Sequence, residues 1–137
     1  MRQQVYADTS YWIALLNPRD ELHAKAVDVS QRLSAARIVT SEMVLVELLN
    51  SFSDAGPRLR KAVTSAVEAL RGNRNVMVSP QTPEQFETAL ERYKQTADKS
   101  WSLTDCVSFQ IMEGEHIQAA LTHDRHFAQA GYDALLR

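Results

Sequence analysis

A short strand that runs directly into a carboxylate constrains the fold of this sequence more than any other feature. Val5 and Tyr6 are strand formers, and the run that they begin is bounded by polar residues, as in a buried strand. Asp8 follows, and after two hydroxyl residues that can cap a helix the almost entirely apolar segment 11–16 predicts a buried helix. In an open parallel sheet, ligands bind beyond the carboxyl ends of the strands, so Asp8 is placed to face a functional crevice.

Strand candidates alternate with helix candidates along the rest of the chain. Further strands are predicted at 38–40, 76–78 and 117–122, and further helices at 21–33, 42–52, 58–70, 83–95 and 102–114. Residues 127–136 are predicted to form either a short helix or a last strand. The alternation favours an α/β fold with a central parallel sheet of four to five strands and right-handed crossovers. The length of 137 residues suits one domain, over residues 1–137.

The charge of the chain does not indicate a general nucleic-acid-binding surface. The formal net charge is −2, whereas a nucleic-acid binder would often carry a strongly basic face. Between Arg58 and Arg74, however, five basic residues stand against one acid, Glu68. This basic stretch is either an ordinary solvated helix face or a surface for phosphates or an acidic partner. Any anionic substrate must be held by such local charge or by a metal ion.

Cysteine usage and hydropathy bear on the compartment. The single cysteine, Cys106, excludes an internal disulfide, fits a reducing compartment and is predicted to be a small buried thiol. Residues 1–4 lack the apolar core of a signal peptide, and no apolar stretch approaches the ~20 residues that a membrane helix needs. We therefore expect a cytoplasmic protein without a membrane partner.

Acidic side chains recur at positions that can converge on one crevice. Asp8 and Asp124 each follow a predicted strand, while Glu47 and Asp105 lie in helices that adjoin such strands. Four carboxylates in one crevice would repel one another strongly, so they persist as ions when divalent cations compensate them. Oxygen ligands favour Mg²⁺ or Mn²⁺ over zinc. The pattern predicts a metal site built from these four acids.

Each acid also has a simpler explanation when it is taken alone. Asp8 can be a helix cap, Asp105 fits a capping box that begins at Ser102, and Asp124 can be a turn residue. Glu47 stands in a helix that is apolar around most of its circumference, which predicts a buried helix and a costly buried charge. The alternative for Glu47 is a side chain that reaches the rim or pairs with an arginine.

Together these segments resemble the PIN domain, and most closely the single-domain VapC-type toxin ribonucleases of bacterial toxin–antitoxin pairs. The resemblance rests on four segments in family order, at 6–10, 46–49, 102–109 and 121–127. It implies that the acids named above, Asp8, Glu47, Asp105 and Asp124, form a metal-binding quartet. It also implies that Thr9 and Thr104 are nearby polar supports. Asp98 matches an extra acid that some members carry, although it can equally be a turn residue.

The resemblance further implies a three-layer α/β/α architecture, a homodimer and an antitoxin that blocks the site. The implied activity is Mg²⁺- or Mn²⁺-dependent hydrolysis of RNA by endonucleolytic cleavage, which leaves 5′-phosphate and 3′-hydroxyl ends. A bound cation also accounts for a net-acidic nuclease, because it supplies the positive charge that the side chains lack.

Three other functions are alternatives to this one. A PIN-like scaffold could bind RNA or protein without cutting, although the four acids are intact. An aspartyl phosphatase would want a second aspartate where Ser10 stands. A zinc site could use His123 and His126 with Asp124, but the spacing is weak support and His126 is expected on an exposed edge.

Overall fold

The structure is a computed structural model that describes residues 2–137. A sheet of parallel strands forms the centre of the protein. Within these residues the sheet has five strands in the order β3-β2-β1-β4-β5. They are β1 Gln4–Ala7, β2 Arg37–Ser41, β3 Val76–Ser79, β4 Ala119–Leu121 and β5 Asp133–Ala134. Every neighbouring pair is parallel, as predicted.

Helices cover both faces of this sheet. They are α1 Thr9–Leu16, α2 His23–Arg32, α3 Glu42–Ser51, α4 Pro57–Arg71, α5 Pro83–Gln95, α6 Leu103–Glu115 and α7 Arg125–Gln129. Right-handed crossovers place α1 to α4 on one face and α5 to α7 on the other. Most helix contacts follow the same grouping, and α3 and α6 also contact each other. The predicted three-layer α/β/α architecture is confirmed.

Boundaries differ from the predictions at three places. The helix predicted from residue 21 begins at His23, because the Asp20 carboxylate accepts a hydrogen bond from Leu22 N in the preceding turn. β4 is shorter than predicted, because Ile117 N bonds the carbonyl of Met112 and so closes the end of α6. The C-terminal segment contains both of the alternatives, the short helix α7 and the strand β5.

The strand order fixes where a ligand can bind. The chain moves outward from β1 to β2 and β3, then crosses back to β4 on the other side of β1. The order in which strands are added to the sheet therefore reverses between β1 and β4, although the two strands are parallel. Open α/β sheets bind ligands at the carboxyl ends of the strands at such a switch point. Asp8 follows β1 and Asp124 closely follows β4.

Two features of the core position the helices around this point. The Tyr6 hydroxyl on β1 is buried and lies 2.8 Å from Ser108 Oγ of α6 and 3.3 Å from Ser41 Oγ at the start of α3. Burial raises the pKa of Tyr6, so the hydroxyl remains protonated. Phe127 anchors α7, with its ring 5.0 Å from the ring of Phe109 on α6.

The prediction of a fully buried α3 was wrong. Val46 is 51% exposed and Leu49 is 39% exposed, while Glu47 is half-buried. The apolar circumference of α3 is wider than the surface that the sheet and the neighbouring helices cover. Cys106 is buried, as expected. Among residues 2–137, no helix combines the length and the apolar character needed to cross a membrane.

Candidate active site

Asp105, Asp124 and His126 come together at the switch point of the sheet. His126 Nδ1 lies 2.9 Å from Asp105 Oδ2 and 3.2 Å from Asp124 Oδ1. One potential ligand atom from each residue falls within 4.8 Å of the others. The packing of Phe127 against Phe109 explains this proximity, because it brings the first turn of α7 against the first turns of α6.

Asp8 lies deeper at the same edge and is 5% exposed. Thr122 Oγ1 donates to Asp8 Oδ2 over 2.9 Å. Burial, together with the smaller effect of the negative charges of Asp105 and Asp124, raises the pKa of Asp8 to about 7 against the opposing effect of its hydrogen bonds. The pKa of Asp105 is also raised, mainly by burial and then by the charge of Asp124. These three carboxylates are therefore close enough to interact electrostatically.

A chain of hydrogen bonds fixes Asp8 against the end of β4. His123 N donates to Ser10 Oγ over 3.2 Å, and Ser10 Oγ lies 3.2 Å from Thr122 Oγ1. Thr122 Oγ1 donates to Asp8 and accepts from Asp124 N over 3.0 Å. Asp8 occupies the N-cap position of α1, where a hydrogen bond from the main chain of Thr9 lowers the pKa of its carboxyl, yet within residues 2–137 the side chain makes no regular capping bond further into that helix. The simple capping explanation for Asp8 therefore does not account for its side chain.

Asp105 serves the helix and the site together. Ser102 Oγ accepts from Asp105 N and Asp105 Oδ2 accepts from Ser102 N, both over 3.0 Å, which is the predicted capping box. The same Oδ2 atom faces His126 Nδ1. The structural explanation and the functional one are therefore both compatible with Asp105. Asp124 likewise caps α7, since its Oδ1 accepts from His126 N over 2.9 Å.

Glu47 is not part of the group that Asp105, Asp124 and His126 form, and its side chain contacts Thr9 instead. Thr9 Oγ1 donates to Glu47 Oε1 over 2.8 Å, and Thr9 directly follows Asp8 in the chain. Thr9 thus makes a contact of the kind expected of a polar support, whereas Thr104 is buried beside Asp105 in α6. Asp98 is exposed and pairs with Lys99 at 2.7 Å, as a turn residue would.

Sequence reasoning missed two residues of the site. Thr122, which ends a buried apolar strand, bonds Asp8 and Asp124, and its signal is a polar residue at the carboxyl end of that strand. The expectation that His126 lies on an exposed edge was wrong, because its side chain is 18% exposed and faces Asp105. Among residues 2–137 the potential ligand atoms that come together belong to Asp105, Asp124 and His126, so the alternative zinc trio with His123 is not assembled.

The residues present fit a hard divalent cation. Buried carboxylates that raise one another's pKa favour a compensating positive charge, and carboxylate oxygens are ligands typical of Mg²⁺ and Mn²⁺. Asp8, Asp105 and Asp124 supply such oxygens from three different elements of the fold. Glu47 can add a fourth carboxylate from α3.

Comparisons with known proteins agree with this fold. A family model described as the PIN domain matches residues 5–131. The chain is 32% identical over 134 residues to the "23S rRNA-specific endonuclease VapC20" of Mycobacterium tuberculosis, strains CDC 1551 / Oshkosh and H37Rv, covering 93% of this chain and 95% of the relative. A crystal structure of Mycobacterium tuberculosis VapC20, titled a Sarcin-Ricin loop cleaving toxin, superposes with a TM-score of 0.82 at 29% identity, covering 93% and 95% of the two chains.

The raised pKa of Asp8 predicts how stability depends on pH in the absence of metal. The folded state holds the Asp8 proton up to about pH 7, whereas the unfolded chain releases it near its ordinary value of 3.8. The free energy of unfolding should therefore fall as the pH rises from about 4 to 7, by up to about 4 kcal/mol from this group. In Asp8→Asn this contribution is absent.

Urea unfolding of both proteins in a chelator at pH 5 and pH 8 measures the effect. The Asn variant should gain stability relative to the wild type as the pH rises, and adding Mn²⁺ at pH 8 should stabilise the wild type more. Identical pH dependence in the two proteins would show that the pKa of Asp8 is not raised in the folded state.

Proposed function

The chain belongs to the PIN domain family, and from this premise we propose that it is a divalent-metal-dependent endoribonuclease that acts as the toxin of a toxin–antitoxin pair. The observation that carries the proposal is the convergence of Asp8, Asp105 and Asp124 at the switch point of the sheet. The family match and the common hydrophobic core also support the inference that residues 1–137 act as one domain.

Ribosomal RNA is the substrate class that we propose to test first. The relative at 32% identity is named as specific for 23S rRNA, and the similar crystal structure is titled as that of a toxin that cleaves the Sarcin-Ricin loop. We infer that this chain cuts RNA within a structured region of the same kind, and that its products carry 5′-phosphate and 3′-hydroxyl ends.

Asp8, Asp105 and Asp124 are the residues proposed to hold the cation, with Glu47 as the fourth acid. A bound Mg²⁺ or Mn²⁺ lowers the pKa of water and neutralises charge that develops on the phosphate during in-line attack. The protein orients the acids in advance: Thr122 fixes an oxygen of Asp8, and Ser102 N fixes an oxygen of Asp105. Such preorganisation lowers the cost of assembling the site when RNA binds.

We infer that Glu47 acts at the open side of this group. Its Oε1 is held by Thr9, and the side chain is half-buried on the solvent side of α3. A carboxylate in this position can orient a water molecule toward the scissile phosphate. We therefore assign Glu47 to the entry side of the site and the three aspartates to its floor.

The start of α4 is the proposed contact for RNA phosphates. Arg58, Arg60 and Lys61 are exposed there, and Arg58 lines a cleft together with Arg19 from the loop after α1. Basic side chains grouped in this way suit the phosphate backbone, which supplies most of the salt-dependent affinity of nucleic-acid binding. In this proposal the acidic site carries out cleavage, and the basic surface at the start of α4 binds the RNA backbone.

Two exposed apolar surfaces suit the proposed protein partners. Val46 and Leu49 on α3 flank Glu47, so an antitoxin that covers them would also cover the entry to the site. On α5, Phe86, Leu90 and Tyr93 are 42%, 48% and 50% exposed at helical spacing. In a two-fold symmetric dimer the same surface of each subunit faces its counterpart on the other, so this one row of side chains can form both sides of a homodimer interface. We assign the α5 row to a second copy of this chain.

Asp8→Asn should abolish RNA cleavage while the fold remains intact. The substitution removes one negative charge from the proposed ligand set but keeps a side chain of the same size and an oxygen that can accept from Thr122. Loss of a ligand should lower the cleavage rate by at least about 100-fold. Gel analysis of 23S rRNA with Mg²⁺ or Mn²⁺ measures this rate.

Asp28→Asn is the matched control, because Asp28 is an exposed acid on α2. It should cleave at the rate of the wild type. Metal-dependent cleavage that persists in Asp8→Asn would remove Asp8 from the site. If calorimetry detects no Mn²⁺ binding by the wild type, a scaffold that does not cut RNA would be favoured.

Reversing the charge of Arg58, Arg60 and Lys61 to Glu should weaken RNA binding and leave the Mn²⁺ affinity unchanged. We expect a loss of about 10-fold or more at low salt that shrinks as the salt concentration rises, because phosphate contacts are replaced by repulsion. Fluorescence anisotropy with a labelled rRNA hairpin measures the affinity.

A triple reversal at Lys25, Arg32 and Lys99, which carries the same change in net charge elsewhere, is the control for that measurement. It should affect RNA binding less. Equal losses in both triple variants would mean that net charge, and not the start of α4, governs binding.

Leu90→Arg should convert a homodimer into a monomer. The substitution puts a charge in the centre of the α5 row, where a second copy would have to bury it. Light scattering after size-exclusion chromatography measures the mass. Leu59→Arg is the control, because Leu59 is an exposed leucine on α4 and its substitution should leave the dimer intact. A wild-type monomer at high concentration would refute the assigned interface.

A further inference from the structure

We propose that His126 is a positioning residue whose Nδ1–H bridges Asp105 and Asp124 and holds the two carboxylates in a geometry ready to bind the cation. This inference rests on the proposed function, because it concerns how the same metal site is built. It adds a residue outside the four acids and assigns it a role that does not require contact with metal or RNA.

The contacts of His126 carry the first step. Nδ1 makes a hydrogen bond with Asp105 Oδ2 over 2.9 Å and lies at ion-pair distance, 3.2 Å, from Asp124 Oδ1, so one ring nitrogen stands between an oxygen from each acid. The main-chain N–H of His126 also donates to Asp124 Oδ1 over 2.9 Å. The side chains of His126 and Asp105 are 18% and 8% exposed, so water competes weakly for the bond between them.

The chemistry of the neighbours assigns the proton. Ionised carboxylate oxygens accept hydrogen bonds and cannot donate them, so the nitrogen between two of them must carry the hydrogen. Of the two neutral tautomers, the Nδ1–H form gives these contacts, and the protonated ring gives them as well. The bridge is therefore available in both charge states of His126.

The bridge changes what Asp105 and Asp124 can do. Asp105 Oδ2 accepts from Ser102 N as well as from His126, so two donors from different elements fix the rotamer of this side chain. An N–H between two like charges also offsets part of their repulsion before any cation arrives. Without the imidazole, Asp105 would keep its capping bond but lose the donor that orients it toward Asp124.

A direct ligand role is the competing assignment for His126. A ring nitrogen that carries a hydrogen has no free lone pair for a cation, so ligation by Nδ1 would break the bridge, and only Nε2 could bind a cation while the bridge is intact. Imidazole is also a poorer partner than oxygen for Mg²⁺. Groups that orient metal ligands typically contribute 10- to 100-fold to metal affinity.

Three variants test the bridge. His126→Asn places an amide N–H near the position of Nδ1, His126→Leu removes the donor at similar bulk, and His126→Gln places its amide near Nε2 instead. We expect the Mn²⁺ affinity, measured by the EPR signal of free Mn²⁺, to fall about 10- to 100-fold in the Leu and Gln variants. The Asn variant should stay within about threefold of the wild type, and thermal unfolding should show that the variants are folded.

Pulsed EPR of bound Mn²⁺ gives a second readout, because a directly bound imidazole nitrogen produces a ¹⁴N coupling. We expect no ¹⁴N coupling from His126, so the spectra of the wild type and of His126→Leu should show the same ¹⁴N couplings. A coupling of that kind would overturn the positioning role in favour of ligation. Unchanged Mn²⁺ affinity in His126→Leu, or equal losses in the Asn and Leu variants, would also overturn it.

The failure of this inference can be told apart from failure of the proposed function. A wild type that binds Mn²⁺ and cleaves RNA, beside a His126→Leu variant that does both equally well, overturns the bridge alone. A wild type that neither binds Mn²⁺ nor cleaves RNA overturns the proposed function and the bridge with it.

Discussion

The pairing of β1 with β4 is the interaction on which the site depends. Tyr6 pairs with Ala120 and Ala7 with Leu121, and Asp8 N then bonds the carbonyl of Leu121 over 3.1 Å. This register ends both strands at the same level and so brings Asp8 beside Thr122, more than a hundred residues later in the chain. Parallel pairing of this kind requires a crossover connection, which the chain supplies through β2, β3 and the helices between them. A slip of one residue would turn Asp8 to the other face of the sheet.

Gathering acids at this edge has an electrostatic cost, and the surrounding hydrogen bonds offset part of it. Asp8 is buried among negative neighbours, which is why its pKa rises to about 7. Thr122, the capping box at Ser102 and the ring of His126 each direct a donor at one of the acids. These donors orient the carboxylates but leave much of the repulsion uncompensated. A divalent cation would supply the positive charge that neutralises the remaining repulsion. The clustered negative charge therefore both destabilises the metal-free site and makes it suited to bind the cation that the proposed chemistry needs.

Much of this arrangement could be predicted from the sequence, and the successes share a physical reason. The strands and the capping box at Ser102 follow from local patterns of a few residues, and these predictions were confirmed. His126 was misplaced because its environment is set by Phe127, which packs α7 against α6 through a contact that no local pattern reveals. Thr122 was overlooked for a similar reason, since its partner Asp8 is distant in sequence.

The exposure of α3 was mispredicted for a different reason, and the error is informative. An apolar circumference predicts that something will cover a helix, but it does not say whether the cover comes from the same chain. Within residues 2–137 the fold leaves Val46 and Leu49 in solvent on either side of Glu47. If the uncovered side chains are the surface for the proposed antitoxin, Glu47, which we propose for the entry side of the site, lies inside the inhibitory interface. Inhibition would then need no conformational change, because covering the apolar side chains of α3 would itself exclude RNA from the acids.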